Sequence, residues 1–159
     1  MSQKGLANSL KAVIIGIGIC GLIIYFYFLP MWGKAILHNA PQYEYCYLPW
    51  MIFLWVTAIP CYLVLICGFR IAVEIGKDNS FSVINAKLLK YISGLAAFDS
   101  VLLFVGSGVF YVLDMSHGGL MLLSILVVFG GVTVTVAAAA LSHLVYKAAA
   151  LKEETELTI

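Results

Sequence analysis

Asp99 is the side chain whose position asks most of chemistry. It lies nine residues beyond Lys90 inside an apolar run, roughly 14 Å along a helix that rises about 1.5 Å per residue. That depth is near the middle of a bilayer. Charge there is costly, and an ionisable residue in hydrocarbon marks a functional site by default. Equivalent depth in the neighbouring apolar runs falls at Cys20, Cys61 and residues 135–138, none of them cationic. The expected partners of Asp99 are therefore Ser100, Thr133, Thr135 or a backbone carbonyl, in a structural role ahead of a proton-coupling one. The other reactive side chains make no site by spacing. Cys20, Cys46, Cys61 and Cys67 include no C-x-x-C pair, which argues against a thiol oxidoreductase working through paired cysteines. They read as small packing residues. His38 and His117, taken with Glu44, Cys46 or Asp114, match no metal-ligand spacing. His143 falls on the opposite side from both, so no haem is held across the helices by paired histidines. With no phosphate-cradling loop and no nucleophile beside a base, the expectation is a non-enzymatic protein without metal or cofactor.

The elements that position these residues are membrane helices. Of 159 residues, 63% are hydrophobic and 11% charged, far from soluble usage. Four runs are about as long as the roughly 20 residues that cross a hydrocarbon core: about 12–32, 48–69, 88–113 and 120–146, followed by a tail at 147–159. Backbone groups in lipid must be satisfied within each segment, and no strand-like alternation is present, so the runs are helices. The expected fold is all-α, a single four-transmembrane-helix bundle over 1–159. Lys4 and Lys11 before the first run resemble a signal peptide, but the run is long and no small-residue cleavage site follows, so it is read as retained.

Basic residues set the expected orientation, because cytoplasmic loops carry the excess of Lys and Arg. Eight of the nine, Lys4, Lys11, Arg70, Lys77, Lys87, Lys90, Lys147 and Lys152, fall at one end, and only Lys34 at the other. Both termini and the 70–90 connection are thus expected in the cytoplasm. Tyr25, Tyr27, Trp32, Tyr43, Tyr45, Tyr47 and Trp50 sit where spans end, as headgroup-level aromatics do. Glycines at 16, 18 and 21, at 94, 106 and 108, and at 130 and 131, with Ala137–Ala140, mark places for close helix approach. Gly16 and Cys20 also form a small-xxx-small pair suited to a homo-oligomer.

The connection holds the one well-written helix start. Asp78-Asn79-Ser80 is turn chemistry, and Ser82 is placed to cap a helix by accepting from the N–H of Ile84 or Asn85. Phe81 precedes the cap. Asn85, Lys87 and Lys90 follow it as a polar and positive collar at the lipid surface, attractive to anionic headgroups. At the carboxyl end, Ala148 to Glu154 favours helix and the propensity fades at Thr155. Leu157 and Ile159 then flank Thr158 in a pattern able to add as a strand or enter a groove.

The pattern Phe81-Ser82-x-x-Asn85-Ala86-Lys87-x-Leu89-Lys90-x-Ile92 resembles the hallmark of a bacterial membrane family, domain of unknown function 2975 (DUF2975). The ending Leu151-Lys152-Glu153-Glu154-x-Glu156-Leu157-Thr158-Ile159 is similar to that family's usual terminus. The resemblance implies partnership with a small helix-turn-helix regulator. The chain offers no recognition helix or basic groove with which to bind nucleic acid directly. The combined expectation is a regulatory or scaffold protein of the bacterial cytoplasmic membrane. Its docking face comprises Phe81, Ser82, Asn85, Lys87, Lys90, Glu153, Glu154, Leu157 and Ile159. The alternative is a small transporter or immunity-type protein using Asp99. A small multidrug transporter shares the helix count but carries its acid in the first helix, where this chain has none. The topology predicts that a membrane-impermeant thiol label applied outside intact cells leaves single cysteines introduced near the amino end, the 77–82 connection or the tail unmodified. Labelling at any of the three overturns the orientation.

Overall fold

The computed structural model describes residues 3–39 and 41–157. Its first span is not one regular helix. α1 (Gln3–Ile23) passes into a π-helical segment (Ile24–Phe28) and then into α2 (Leu29–Asn39). Pro30 accounts for the widening, because proline lacks an N–H and its ring clashes with the carbonyl four residues back, here that of Phe26. In the wider turn the Leu29 N–H donates to the Ile24 carbonyl. The next bond of that pattern would run from residue 30 to Tyr25, and Pro30 cannot make it. The Tyr25 carbonyl instead accepts from Trp55 Nε1 at 3.4 Å. A carbonyl released in lipid has to find its donor within the protein, and an indole from the next span provides it.

A short 3-10 turn (Pro41–Tyr43) leads into α3 (Glu44–Gly76), followed by α4 (Val83–Val112) and α5 (Gly118–Leu157). Among the described residues four helices are long and apolar enough to cross a membrane, the first running from Gln3 to His38. The helices outrun the apolar windows read from sequence because the hydrogen-bond ladder continues after hydropathy fails. α5 shows this most clearly. Its 40 residues reach about 60 Å at 1.5 Å per residue, twice a hydrocarbon core of roughly 30 Å. The expected fade at Thr155 is not observed, and the helix runs on through Leu157.

Two of the connections use the same device. After α3 the N–H of Asp78 donates to the Ile75 carbonyl at 3.2 Å and that of Asn79 to Glu74 at 3.1 Å. After α4 the N–H of Asp114 donates to Tyr111 at 3.2 Å and that of Met115 to Phe110 at 2.9 Å. These are paired Schellman bonds, and the left-handed residue is an aspartate each time, with φ of 59° at Asp78 and 55° at Asp114. Aspartate tolerates that region better than most residues.

Helices pack in chain order: α1 on α3, α3 on α4 and α4 on α5. Among the described residues α1 makes no close backbone approach to α4 or α5. The α4–α5 pair is the tightest seam. Ala86, Ser93, Ser100 and Ser107 recur every seventh residue of α4, facing Ser124, Gly131, Ala138 and Val145 at the same interval in α5. A seven-residue repeat keeps one stripe turned to the partner helix, and small side chains let the backbones close. Three contacts carry the antiparallel register: Ser142 Oγ donates to the Ala86 carbonyl at 2.7 Å, Ser93 Oγ to Thr135 at 2.9 Å, and the Ser100 hydroxyl lies against Gly131. Several expected close-approach glycines do not serve this way, since a Cβ at Gly16, Gly94, Gly108 or Gly130 would meet open space. Others do. Gly106 receives the Phe53 ring, and Gly21 receives Tyr62, whose hydroxyl donates to the Gly18 carbonyl at 2.8 Å.

Gly130 and Gly131 are adjacent and opposite in character, which makes them a test of the seam. Gly131→Ala is expected to lower stability by about 1–2 kcal/mol because Ser100 must leave its rotamer. Gly130→Ala is expected to be neutral or slightly stabilising. Reversible unfolding in mixed detergent micelles measures both, and equal effects would refute the assignment.

Candidate functional site

At the end of the molecule that holds eight of the nine basic residues, the 77–82 connection is tied to three helices. The side-chain amide of Asn85 donates to the carbonyls of Asn79 at 3.1 Å and Ser80 at 2.9 Å. Ser82 Oγ accepts from the Asn85 backbone N–H at 3.2 Å, the cap expected from sequence. Glu74 closes the other side, receiving Asn79 Nδ2 at 3.1 Å and Lys77 Nζ at 2.8 Å. Ser80 Oγ donates to Gln3 Oε1 at 3.2 Å, joining the start of α1 to the knot. Ala7 on α1 lies beside Gly76 on α3, where a Cβ would come within 3.3 Å of Ala7 Cβ.

This geometry divides the residues read from sequence as a docking face. Asn85 is 1% exposed and Ser82 is buried; both are spent on the loop and position it. Phe81, which precedes the cap, is 59% exposed. Lys87 and Lys90 on α4, and Glu153 and Glu154 on α5, are exposed. Ile159 lies outside the described residues, as does the side chain of Leu157, whose backbone ends α5.

The opposite end is held by aromatics. Trp50 Nε1 donates to the Met115 carbonyl at 2.8 Å and its ring stacks on Phe110 at 4.6 Å, with Phe53 edge-on to Phe110 at 5.4 Å. Trp50, read from sequence as a headgroup-level residue, therefore also fixes the α4–α5 turn. His117 Nδ1 accepts from the N–H groups of Gly119 and Leu120 at 3.2 and 3.4 Å, capping the start of α5.

Asp99 sits near the middle of α4 and turns toward α3. Its Oδ2 accepts from the Cys61 thiol at 3.4 Å, and its Oδ1 is buried without a hydrogen-bond partner. The partners expected from sequence are committed elsewhere: Ser100 donates to Ala96, Thr133 to Phe129 and Thr135 to Gly131, each at 2.7–2.9 Å. Hydroxyls in helices return readily to the carbonyl one turn back, a local competitor that depth counting ignores. Cys61, read as a packing residue at matching depth, is thus a donor. Tyr25 from the first span interacts with Thr57 and Cys61 beside it. These groups open onto a cavity of about 330 Å³ lined by residues of all four spans, among them Ile17, Pro60, Leu103 and Val128.

Lipid-facing apolar helices around a sparse polar interior define a multi-pass membrane protein. The chain belongs to the family described as protein of unknown function (DUF2975), whose family model matches residues 31–159. That range takes in both motifs on which the resemblance was read. The chain is similar to the uncharacterized membrane protein YoaS of Bacillus subtilis (strain 168), 29% identical over 152 residues that cover 94% of this chain and 95% of that protein. No solved structure matches it.

If Asn85 is the clasp of the connection, its amide chemistry matters more than its size. Asn85→Ala is expected to cost about 1–3 kcal/mol by leaving two carbonyls without their donor. Asn85→Asp should cost more, since it faces the same carbonyls with an acceptor. Unfolding in mixed micelles, together with the rate of proteolysis at 77–82, checks the order; an aspartate variant as stable as wild type would overturn it.

Proposed function

We propose that this protein is a non-enzymatic scaffold of the bacterial cytoplasmic membrane that docks a soluble protein at its basic end, with that end in the cytosol. The orientation rests on the excess of Lys and Arg there. One observation carries the docking reading: Phe81 is held out to solvent on a loop whose own backbone is immobilised by the buried Asn85 amide. A large aromatic on a preformed loop loses little conformational freedom when a partner closes over it, and aromatics of this kind act as interface anchors. Lys87 and Lys90 beside it favour a partner with an apolar pocket rimmed by acidic residues. The continuation of α5 supports a second contact, made by a helix bearing Glu153 and Glu154 rather than by an added strand. Family resemblance points to a small helix-turn-helix regulator as the partner.

The test is affinity capture of the tagged protein from native membranes with quantitative identification of what accompanies it. Phe81→Ala and the double variant Lys87→Glu/Lys90→Glu are each expected to reduce recovery of the soluble partner by about tenfold, as loss of an interface anchor does, while removal of residues 155–159 weakens it less. A partner recovered equally well by all variants, or no soluble protein enriched by wild type, overturns the proposal.

A further inference from the structure

The cavity between the spans carries an acid with no cation beside it. Three polar hydrogens on its wall are already directed at acceptors: the Cys61 thiol at Asp99 Oδ2, the Tyr62 hydroxyl at Gly18 and the Ser100 hydroxyl at Ala96. Pro60, also on the wall, has no N–H to give. Asp99 is the one acid among the lining residues, and no Lys, Arg or His is among them. All other surfaces are hydrocarbon or aromatic. Among the described residues α1 makes no close backbone approach to α5, so the route by which a molecule dissolved in the lipid would reach the cavity runs between these two spans.

We infer that this cavity binds a lipophilic ammonium, an organic cation with one protonated nitrogen and an apolar body, whose charge is met by the Asp99 carboxylate. Volume, wall chemistry and the lone acid agree on this class. The space of about 330 Å³ falls at the small end of ligand pockets, roughly 300–1,000 Å³. An apolar body replaces lipid against valine, leucine and tyrosine side chains without leaving a polar group unpaired. A single cationic nitrogen supplies the opposite charge that a carboxylate needs in hydrocarbon. A neutral hydrocarbon or an acyl chain fills the volume and leaves the acid as it is; an anion is repelled by it. Cys61 then acts as a positioning residue, holding Asp99 Oδ2 from the α3 side.

The experiment uses the full chain in phosphatidylcholine nanodiscs, which carry no net headgroup charge. Equilibrium binding of 1-naphthylmethylammonium and of its neutral isostere 1-naphthylmethanol is followed by naphthalene fluorescence, with protein-free nanodiscs subtracted. Wild type is expected to prefer the ammonium by about tenfold or more, the scale on which a buried charge pair discriminates. Asp99→Asn removes that preference and leaves the alcohol unchanged. Val127→Phe, which fills the cavity from α5 and keeps the acid, abolishes binding of both. Equal affinity of wild type for the two probes overturns the inference and assigns the cavity to lipid chains. Ammonium binding that survives Asp99→Asn overturns it as well. Should Asp99→Asn fail to assemble, Val127→Phe decides: loss of the ammonium preference sustains the inference and its persistence ends it.

Discussion

Scarcity of water governs this molecule, because a backbone or side-chain group released within the hydrocarbon has only the protein itself to bond to. The four helices are the first consequence. The exceptions inside them follow the same rule. Pro30 deprives the Tyr25 carbonyl of its regular donor, and Trp55 arrives from the neighbouring helix to supply one. Ser100, Thr133 and Thr135 bond one turn back along their own helices, and Asp99 takes the Cys61 thiol. Each local irregularity thereby becomes a contact between spans or is absorbed within one. The unmatched oxygens of Asp99, Asn85 and Ser107 stand out against a rule kept by the groups just named.

Packing strength is uneven for a related reason. Lipid tails are as apolar as leucine, so helices associate through close van der Waals contact and hydrogen bonds rather than by hiding oily surface. α4 and α5 meet both conditions along a seven-residue stripe of Ala, Ser, Gly and Val, with hydroxyls of Ser93 and Ser142 crossing to backbone carbonyls. The first span has a thinner attachment, through Tyr62 on Gly18 and Trp55 on Tyr25, and it stands apart from α5. An interior space bounded by a strong pair on one side and a loosely held helix on the other is the outcome. Asp99, about 100° around α4 from Ser100 of the seam, opens onto that space.

The basic end obeys a different balance, because water is present and polar groups need not be hidden to be stable. There the protein nevertheless spends a fully buried amide on a six-residue connection. Asn85 binds two loop carbonyls, Glu74 receives Asn79 and Lys77, and Ser80 reaches Gln3. Three helix ends are locked into one unit, and the exposed side chains that ride on it, Phe81 foremost, inherit its rigidity. A motif that looks in sequence like a surface for recognition is in fact half clasp and half surface.

Much of this was legible in the residues alone. Hydropathy windows located four spans, because chain length against bilayer thickness is a one-dimensional constraint. Ser82 was readable as a cap because capping is local, and Asp99 as a mid-span acid because depth follows from counting along a helix. Family membership was carried by the Phe81–Ile92 motif and the acidic tail. The seven-residue stripes at 86, 93, 100 and 107 and at 124, 131, 138 and 145 were also present in the sequence, but glycine drew attention away from serine. What tertiary structure alone decided was direction. Which of Ser82, Asn85 and Phe81 turns inward, whether Asp99 faces Cys61 or Thr135, and that Pro30 and Trp55 act as partners all depend on helix rotation. That rotation is set by contacts between residues distant in the chain, and no periodicity within one helix encodes it.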